Sequence, residues 1–332
     1  MRVFRGIHQS GIAKGCAVTI GNFDGLHRGH QAMLTLLRNE AAIRGITSCA
    51  LTFEPHPRDY FAKVLNRPEI APARIGTLRD KLADLGTTQI DQTVMLAFNR
   101  ALSQLEPEAF VERVLVQALQ ARYVLVGDDF LFGKDRRGDY ALLDRLGRQH
   151  GFDVARMNSY EVHGVRVSSS EVRHALREGR MADAAELLGR PYAISGHVLH
   201  GRKLGRQLGA SSAAASDGFR TLNLHFKHWK PAASGIFVVQ VHGLDDKPLP
   251  GVANLGIRPS LDPNDVNGGR VLLETHCLDW PAHLGREGGY GKVIRVELLH
   301  KLHDELKYPS LQALTEGIAR DTADARAWFD LP

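Results

Sequence analysis

Over the first half of the chain, short apolar runs alternate with amphipathic stretches. Cys16-Ala17-Val18-Thr19-Ile20, Thr47–Phe53, Gln92–Leu96 and Tyr123-Val124-Leu125-Val126 have the compact, β-branched character of strands buried on both faces. Between them, Gln31–Arg38, Leu78–Leu85 and Glu108–Leu119 carry apolar residues at helical spacing. Strand and helix in strict alternation predict an α/β domain, a doubly wound parallel sheet with helices on both faces. Ligands of such sheets bind beyond the carboxyl ends of the strands. The stretches expected there are 21–30, Glu54-Pro55-His56-Pro57 and Gly127-Asp128-Asp129-Phe130, so three loops are predicted to converge on one crevice.

The pattern changes after Met181–Leu188, an amphipathic helix ended by Gly189-Arg190-Pro191. We place the domain boundary there, with domains at 1–187 and 188–332. Beyond it, β-type runs recur between turn residues at Ala193–Leu199, Gly235–Val241, Gly251–Leu255, Val271–Leu278 and Lys292–Leu299. Their spacing predicts a small antiparallel β-barrel. Ser310–Phe329 closes the chain as a helix, with Leu311, Leu314, Ile318 and Trp328 expected on the face that packs against the barrel.

Composition narrows the class. The 332 residues are 43% hydrophobic and 24% charged, as in a globular protein, and no apolar run approaches the roughly 18–20 residues needed to span a bilayer. No signal-peptide core follows Met1, and we expect a cytoplasmic protein without a membrane partner. Cys16, Cys49 and Cys277 lack metal or disulfide spacing and are expected to be small buried hydrophobes. The net charge of +5 is dispersed among carboxylates, which suits small anionic substrates better than nucleic acid. The basic stretch 134–139 is interrupted by acids and reads equally as a solvated loop.

Chemistry is concentrated in Gly21-Asn22-Phe23-Asp24-Gly25-Leu26-His27-Arg28-Gly29-His30, at the handover from a strand to a helix. Free N–H groups and the positive end of the helix dipole face an anion at such a junction, and glycines let the backbone come close. His27 and His30 add side-chain donors, as a triphosphate site needs. Ser168 and Glu171 have the spacing of a capping box before Val172–Leu176, and a capped helix start is itself an anion site.

These residues resemble the HxGH nucleotidylyltransferase superfamily, and the whole chain is similar to the bacterial bifunctional riboflavin kinase/FMN adenylyltransferases, or FAD synthetases. The resemblance rests on GNFDGLHRGH (21–30), TFEPHP (52–57), VGDDFLFGKDRRGD (126–139), VSSSEVRHALREG (167–179), LGRPYAISGHVLHGRKLGRQLG (188–209), GVANLGIRPS (251–260) and LLETHCLDW (272–280). It implies a nucleotidylyltransferase-type α/β domain followed by a kinase barrel. ATP, riboflavin, FMN and FAD are then substrates or products, and magnesium is a cofactor. In the first domain it implies His27 and His30 on the ATP phosphates as catalytic groups. Gly21, Asn22, Phe23, Asp24, Gly29, Ser169, Ser170 and Arg173 then contact ATP, and His56, Asp129 and Phe130 the flavin.

In the second domain the resemblance implies Gly201, Lys203, Gly205, Arg206 and Gly209 as the ATP loop. Thr221 and Asn223 then hold magnesium, and Glu274 is the general base for the ribityl 5′-hydroxyl. The chain departs from the family pattern in three places. Ala210–Gly218 are inserted, Arg220 and Leu222 replace proline and alanine beside Thr221, and His303 stands where arginine is usual. These departures keep open a monofunctional FMN adenylyltransferase whose barrel only binds flavin; a separate alternative is a flavin-binding protein without catalysis, in which His27 and His30 are vestigial.

Overall fold

The computed structural model describes residues 1–199, 221–226, 230–258, 270–285 and 287–331. They form two compact units, one of Met1–Pro72 with Lys81–Ser168 and one of Ala73–Asp80 with Ser169–Pro332.

The first unit begins with β1 (Arg2–Arg5), β2 (Ala17–Ile20), α1 (Arg28–Ile43), β3 (Ser48–Glu54) and α2 (Pro57–Val64). It continues through α3 (Leu78–Thr87), whose first residues belong to the other unit, then β4 (Gln92–Ala97), α4 (Arg100–Ser103) and α5 (Pro107–Phe110). It closes with β5 (Tyr123–Gly127), α6 (Tyr140–His150), β6 (Asp153–Met157) and the ribbon β7 (Glu161–Val162) and β8 (Val165–Arg166). Six strands form a sheet in the order β1-β4-β3-β2-β5-β6, parallel at every pairing.

Alternate residues of the central strands face opposite layers. Val18, Ile20, Cys49, Leu51, Val124 and Val126 pack with Phe110, Leu115 and Leu143. Ala17, Ala50, Tyr123 and Leu125 pack with Leu34, Leu37, Ala41 and Leu85. Helices therefore cover both faces, as the alternation predicts. The edge strands β1 and β6 escape the sequence pattern because each buries little, Phe4 alone in the case of β1. The helix expected over 108–119 is α-helical only to Phe110. Its continuation over Val111–Ala118 has wider turns, in which the Leu119 N–H reaches back five residues to the Val114 carbonyl (3.1 Å).

The second unit adds α7 (Ser169–Arg177), α8 (Met181–Leu188), β9 (Tyr192–Leu199), β10 (Leu222–Phe226), β11 (Gly235–His242), β12 (Leu249–Arg258), β13 (Arg270–Cys277), β14 (Val293–His303) and α9 (Leu311–Trp328). The strands close as a six-stranded antiparallel barrel in the order β10-β13-β12-β11-β14-β9. Phe237, Val239, Leu224, Leu255, Leu273 and Val296 are fully buried. All three cysteines are buried free thiols, and burial pushes Cys277 up to about 12.

The terminal helix packs through the expected face, on which the buried Ala325 lies beside half-buried Leu314 and Ile318. Leu311 and Trp328 are exposed, while Gly317 and Ala325 are its buried residues. Ala325 packs with Val238 and Val252, flanked by Ile236, Leu302 and Phe329. The fully buried contact is made by a small residue, and the expected face is exposed only at its two ends, Leu311 and Trp328. Among the described residues no helix is long and apolar enough to cross a membrane.

Candidate functional site

In the first unit, the chain turns back between β2 and β5. Strands β3, β4 and β1 succeed one another on one side of β2, and β5 and β6 lie on the other. At such a switch point the loops diverge and leave a crevice at the carboxyl ends. The loop leaving β2 holds the His27/His30 motif, and the loops after β3 and β5 carry His56 and Asp129. The three loops expected to converge thus follow three neighbouring strands.

The motif is built tightly. Phe23 and Leu26 take the left-handed backbone region (φ 48° and 41°) with their side chains fully buried, and Gly25 between them has φ 83°. His27 caps α1, its Nδ1 accepting the His30 backbone N–H at 3.3 Å, and the Gln31 N–H donates to the His27 carbonyl at 3.0 Å. With Nδ1 an acceptor, a neutral His27 carries its proton on Nε2. The two imidazoles stack at 3.7 Å with 17° between planes, and Phe23 meets His30 edge-on at 5.2 Å. A Cβ at Gly29 would stand 3.2 Å from His27 Nδ1, so glycine is what lets the ring lie over the helix start. The Asn22 side-chain oxygen is buried without a hydrogen-bond partner.

His56 caps α2 by accepting the Arg58 N–H at 3.2 Å. Beyond β5, Asp128 accepts from Ser159 Oγ (2.5 Å) and Arg166 (2.9 Å), and Arg166 also pairs with Asp129 at 3.0 Å. The Ser159 hydrogen bond, aided by Arg166, holds the Asp128 carboxyl below its usual range. Asp129 is exposed, and Phe130 stacks on Phe132 at 5.4 Å.

In the second unit, α7 starts at Ser169, which puts Ser168 at the cap position and Glu171 in the first turn. Arg173 Nε donates to the Ala73 carbonyl at 2.6 Å. On the barrel, Asn223 of β10 stands directly opposite Glu274 of β13. Asn223 Nδ2 donates to the Thr221 carbonyl (3.2 Å) and hydroxyl (3.3 Å), which groups Thr221, Asn223 and Glu274. Gly201, Lys203, Gly205, Arg206, Gly209, the insertion 210–218 and Arg220 lie outside the described residues. Among the described residues no cluster of three or more His, Cys, Asp or Glu is arranged to hold a metal.

Two family models match the chain, FAD synthetase over residues 9–171 and riboflavin kinase over 188–329. The bifunctional riboflavin kinase/FMN adenylyltransferase of Escherichia coli (strain K12) is 40% identical over 333 residues, covering 100% of this chain and 99% of its own. The chain belongs to the bifunctional riboflavin kinase/FMN adenylyltransferase family. The family member from Pseudomonas fluorescens is 41% identical over 328 residues, covering 98% of this chain and 97% of its own. A crystal structure described as a macrolide-efflux protein from Streptococcus pneumoniae matches with a TM-score of 0.74, covering 99% of this chain and 100% of that one, at 22% identity. At that identity the likeness speaks for the fold alone.

One feature of this family member goes beyond its motifs. Phe53, Tyr60, Phe61 and Phe98 form an edge-to-face cluster at the carboxyl ends of β3 and β4, with centroids 5.3–5.9 Å apart. Only Phe53 falls within a quoted motif. The others come from α2 and from beyond β4, so no spacing in the sequence relates them.

Proposed function

We propose that the chain makes both flavin cofactors. The second domain, 188–332, phosphorylates riboflavin with ATP to FMN, and the first, 1–187, transfers the adenylyl group of a second ATP to FMN, releasing pyrophosphate. The observation that carries this reading is the full-length match to relatives named for both activities.

In the adenylyl transfer, the FMN phosphate attacks the α-phosphorus of ATP and charge gathers on its oxygens. His27 Nε2, His30 and the positive end of the α1 dipole are fixed and stabilise that charge without reorganisation. Gly21, Asn22, Phe23, Asp24 and Gly29 shape the loop around the phosphates, and Ser169, Ser170 and Arg173 contact the nucleotide. His56, Asp129, Phe130 and the Phe53–Phe98 cluster receive the flavin, whose flat ring suits edge-to-face aromatics.

In the kinase reaction, Glu274 takes the proton of the ribityl 5′-hydroxyl as the oxygen attacks the γ-phosphate, and the 200–209 loop holds the nucleotide. Thr221 and Asn223 supply a hydroxyl and an amide oxygen, hard donors that fit magnesium, which keeps waters and phosphate oxygens for its other positions. When bound, the ion neutralises charge on the β- and γ-phosphates. The partners are small molecules, and the three buried free thiols suit a reducing cytoplasm.

The test is chromatographic separation of the flavins formed from riboflavin, ATP and magnesium, repeated with FMN in place of riboflavin. FMN and FAD from riboflavin are expected. FAD from FMN alone would reduce the protein to an adenylyltransferase, and no product from either would leave a flavin binder.

A further inference from the structure

Asn223, Glu274 and Asn254 lie in one row across three adjacent strands, Asn223 opposite Glu274 and Glu274 opposite Asn254. Directly paired residues of antiparallel strands project from the same face. Their chain neighbours Leu222, Leu224, Ala253, Leu255, Leu273 and Thr275 are buried, so these strands turn the row to the face opposite the barrel core. Two residues earlier on the same face of β12, Val252 packs with Ala325 of α9. At Asn254 that face turns from apolar to polar.

The Asn254 side-chain oxygen is buried and accepts no hydrogen bond. Buried polar atoms are nearly always paired, and an isolated acceptor in a protein interior marks a missing donor. The directly opposite residue, Glu274, presents a carboxylate, which is also an acceptor. The carboxylate therefore cannot donate to the Asn254 oxygen. A polyol chain can, with hydroxyls on neighbouring carbons that reach two acceptors at once.

Building on the kinase reading of Glu274, we propose that Asn254 is part of the acceptor-substrate site, its side-chain oxygen taking a hydrogen bond from the hydroxyl next to the one that Glu274 deprotonates. No proton leaves that neighbouring hydroxyl. Its hydrogen bond to Asn254 fixes the rotation of the polyol chain, so that the terminal oxygen, and not its neighbour, points along the line of attack on phosphorus. Asn254 thereby selects a substrate carrying adjacent hydroxyls over a simple alcohol.

The experiment compares the intact chain with its Asn254→Ala form on riboflavin and on an analogue lacking the 4′-hydroxyl. FMN adenylylation by the same molecules reports whether the chain is folded. We expect kcat/KM for riboflavin to fall about tenfold or more in Asn254→Ala with adenylylation unchanged, and the two proteins to converge on the deoxy analogue. Equal kcat/KM on riboflavin, or an equal fall on both substrates, overturns the assignment; the second result would mean that Asn254 only supports the strand. Should the alanine form fail to fold, Asn254→Leu keeps the volume and must behave as described. A wild-type chain that adenylylates FMN but phosphorylates no riboflavin would overturn the kinase reading and this inference together. An active wild type with an unaffected variant overturns this inference alone.

Discussion

Between β2 and α1, the absence of one methyl group sets the position of an imidazole. The space over Gly29 is filled by the His27 ring, 3.2 Å from where a Cβ would stand, and on the other side by the Val167 carbonyl at 3.4 Å. The contact with the ring is the tight one, so in Gly29→Ala the ring must give by a few tenths of an ångström, and with it the stack on His30. We predict that Gly29→Ala lowers FMN adenylylation by about tenfold or more while riboflavin phosphorylation is unchanged, since a displacement well under 1 Å already misaligns a fixed donor. Steady-state assays of both reactions on one preparation test it, and full adenylylation would refute the tight packing. The motif was legible because its members lie within ten consecutive residues, where a strand-to-helix turn alone dictates their meeting. Two things were not: that His27 serves as the helix cap, and that Tyr60, Phe61 and Phe98 gather around Phe53. The cap depends on a backbone angle, and the cluster on the positions of three separate elements.

Among the elements, α9 shows most clearly where pattern and packing part. Leu311 and Trp328 at its two ends are exposed, Leu314 and Ile318 are half-buried, and the small Ala325 makes the fully buried contact. A second tie comes from His303 at the end of β14. Its Nε2 lies 2.8 Å from Asp321 Oδ1 of α9 and its Nδ1 2.7 Å from the Asp304 carbonyl. Both partners only accept, so both ring nitrogens must donate, and His303 is held as an imidazolium. Partial burial opposes the charge, but the Asp321 hydrogen bond, the Asp304 carbonyl and the charges of Asp321 and Asp324 outweigh it and raise the pKa above 6.5. Lys301 pairs with Asp304 nearby. A raised folded-state pKa stabilises fully below the unfolded value and is lost as pH climbs through the folded one. Wild type should therefore melt about 2–4 °C above His303→Gln at pH 6, with the gap closing as pH rises past neutrality. Thermal melts of both proteins from pH 6 to 9 decide it; a gap that ignores pH would mean that His303 is neutral. The residue that departs from the family's usual arginine thus still carries a positive charge to the helix, though a titratable one.

At the scale of the whole molecule, the alternation of strand and helix and the run of short strands after residue 188 were enough to foresee a parallel sheet followed by a barrel. What they could not reveal is that packing does not follow a single cut. Residues 73–80 belong to the barrel unit although the chain enters the sheet unit on both sides of them. The two proposed sites nevertheless draw their central residues from different units, His30 from the first and Glu274 from the second. His30→Ala should abolish FAD formation and spare FMN formation, and Glu274→Ala should do the reverse; loss of both activities in either variant would sink the two-site picture. The packing carries a further consequence for an excised 188–332 fragment. Among the described residues, the barrel seam between β9 and β10 shows two residue pairs, Asn223 with Leu199 and Leu224 with Val198. Further along β9, the Ser195 N–H is taken instead by Asp80 Oδ1 at 3.0 Å. Arg74 exchanges backbone hydrogen bonds with Lys230 (2.7 Å) and Ala232 (3.2 Å) just before β11, and Met181, Ala184, Leu187 and Leu188 of α8 are buried in the same unit. A cut at 188 removes the Asp80 and Arg74 partners and uncovers the surface under α8, where each large apolar side chain contributes about 1.5–3 kcal/mol by burial. We predict that the fragment melts more than about 5 °C below the barrel transition of the intact chain, and that a 169–332 fragment, which regains α7 and α8 but not the 73–80 segment, recovers only part of the difference. Calorimetry on the three proteins would show it. Equal transitions for the short fragment and the intact chain would mean that the barrel closes its own seam without the 73–80 segment.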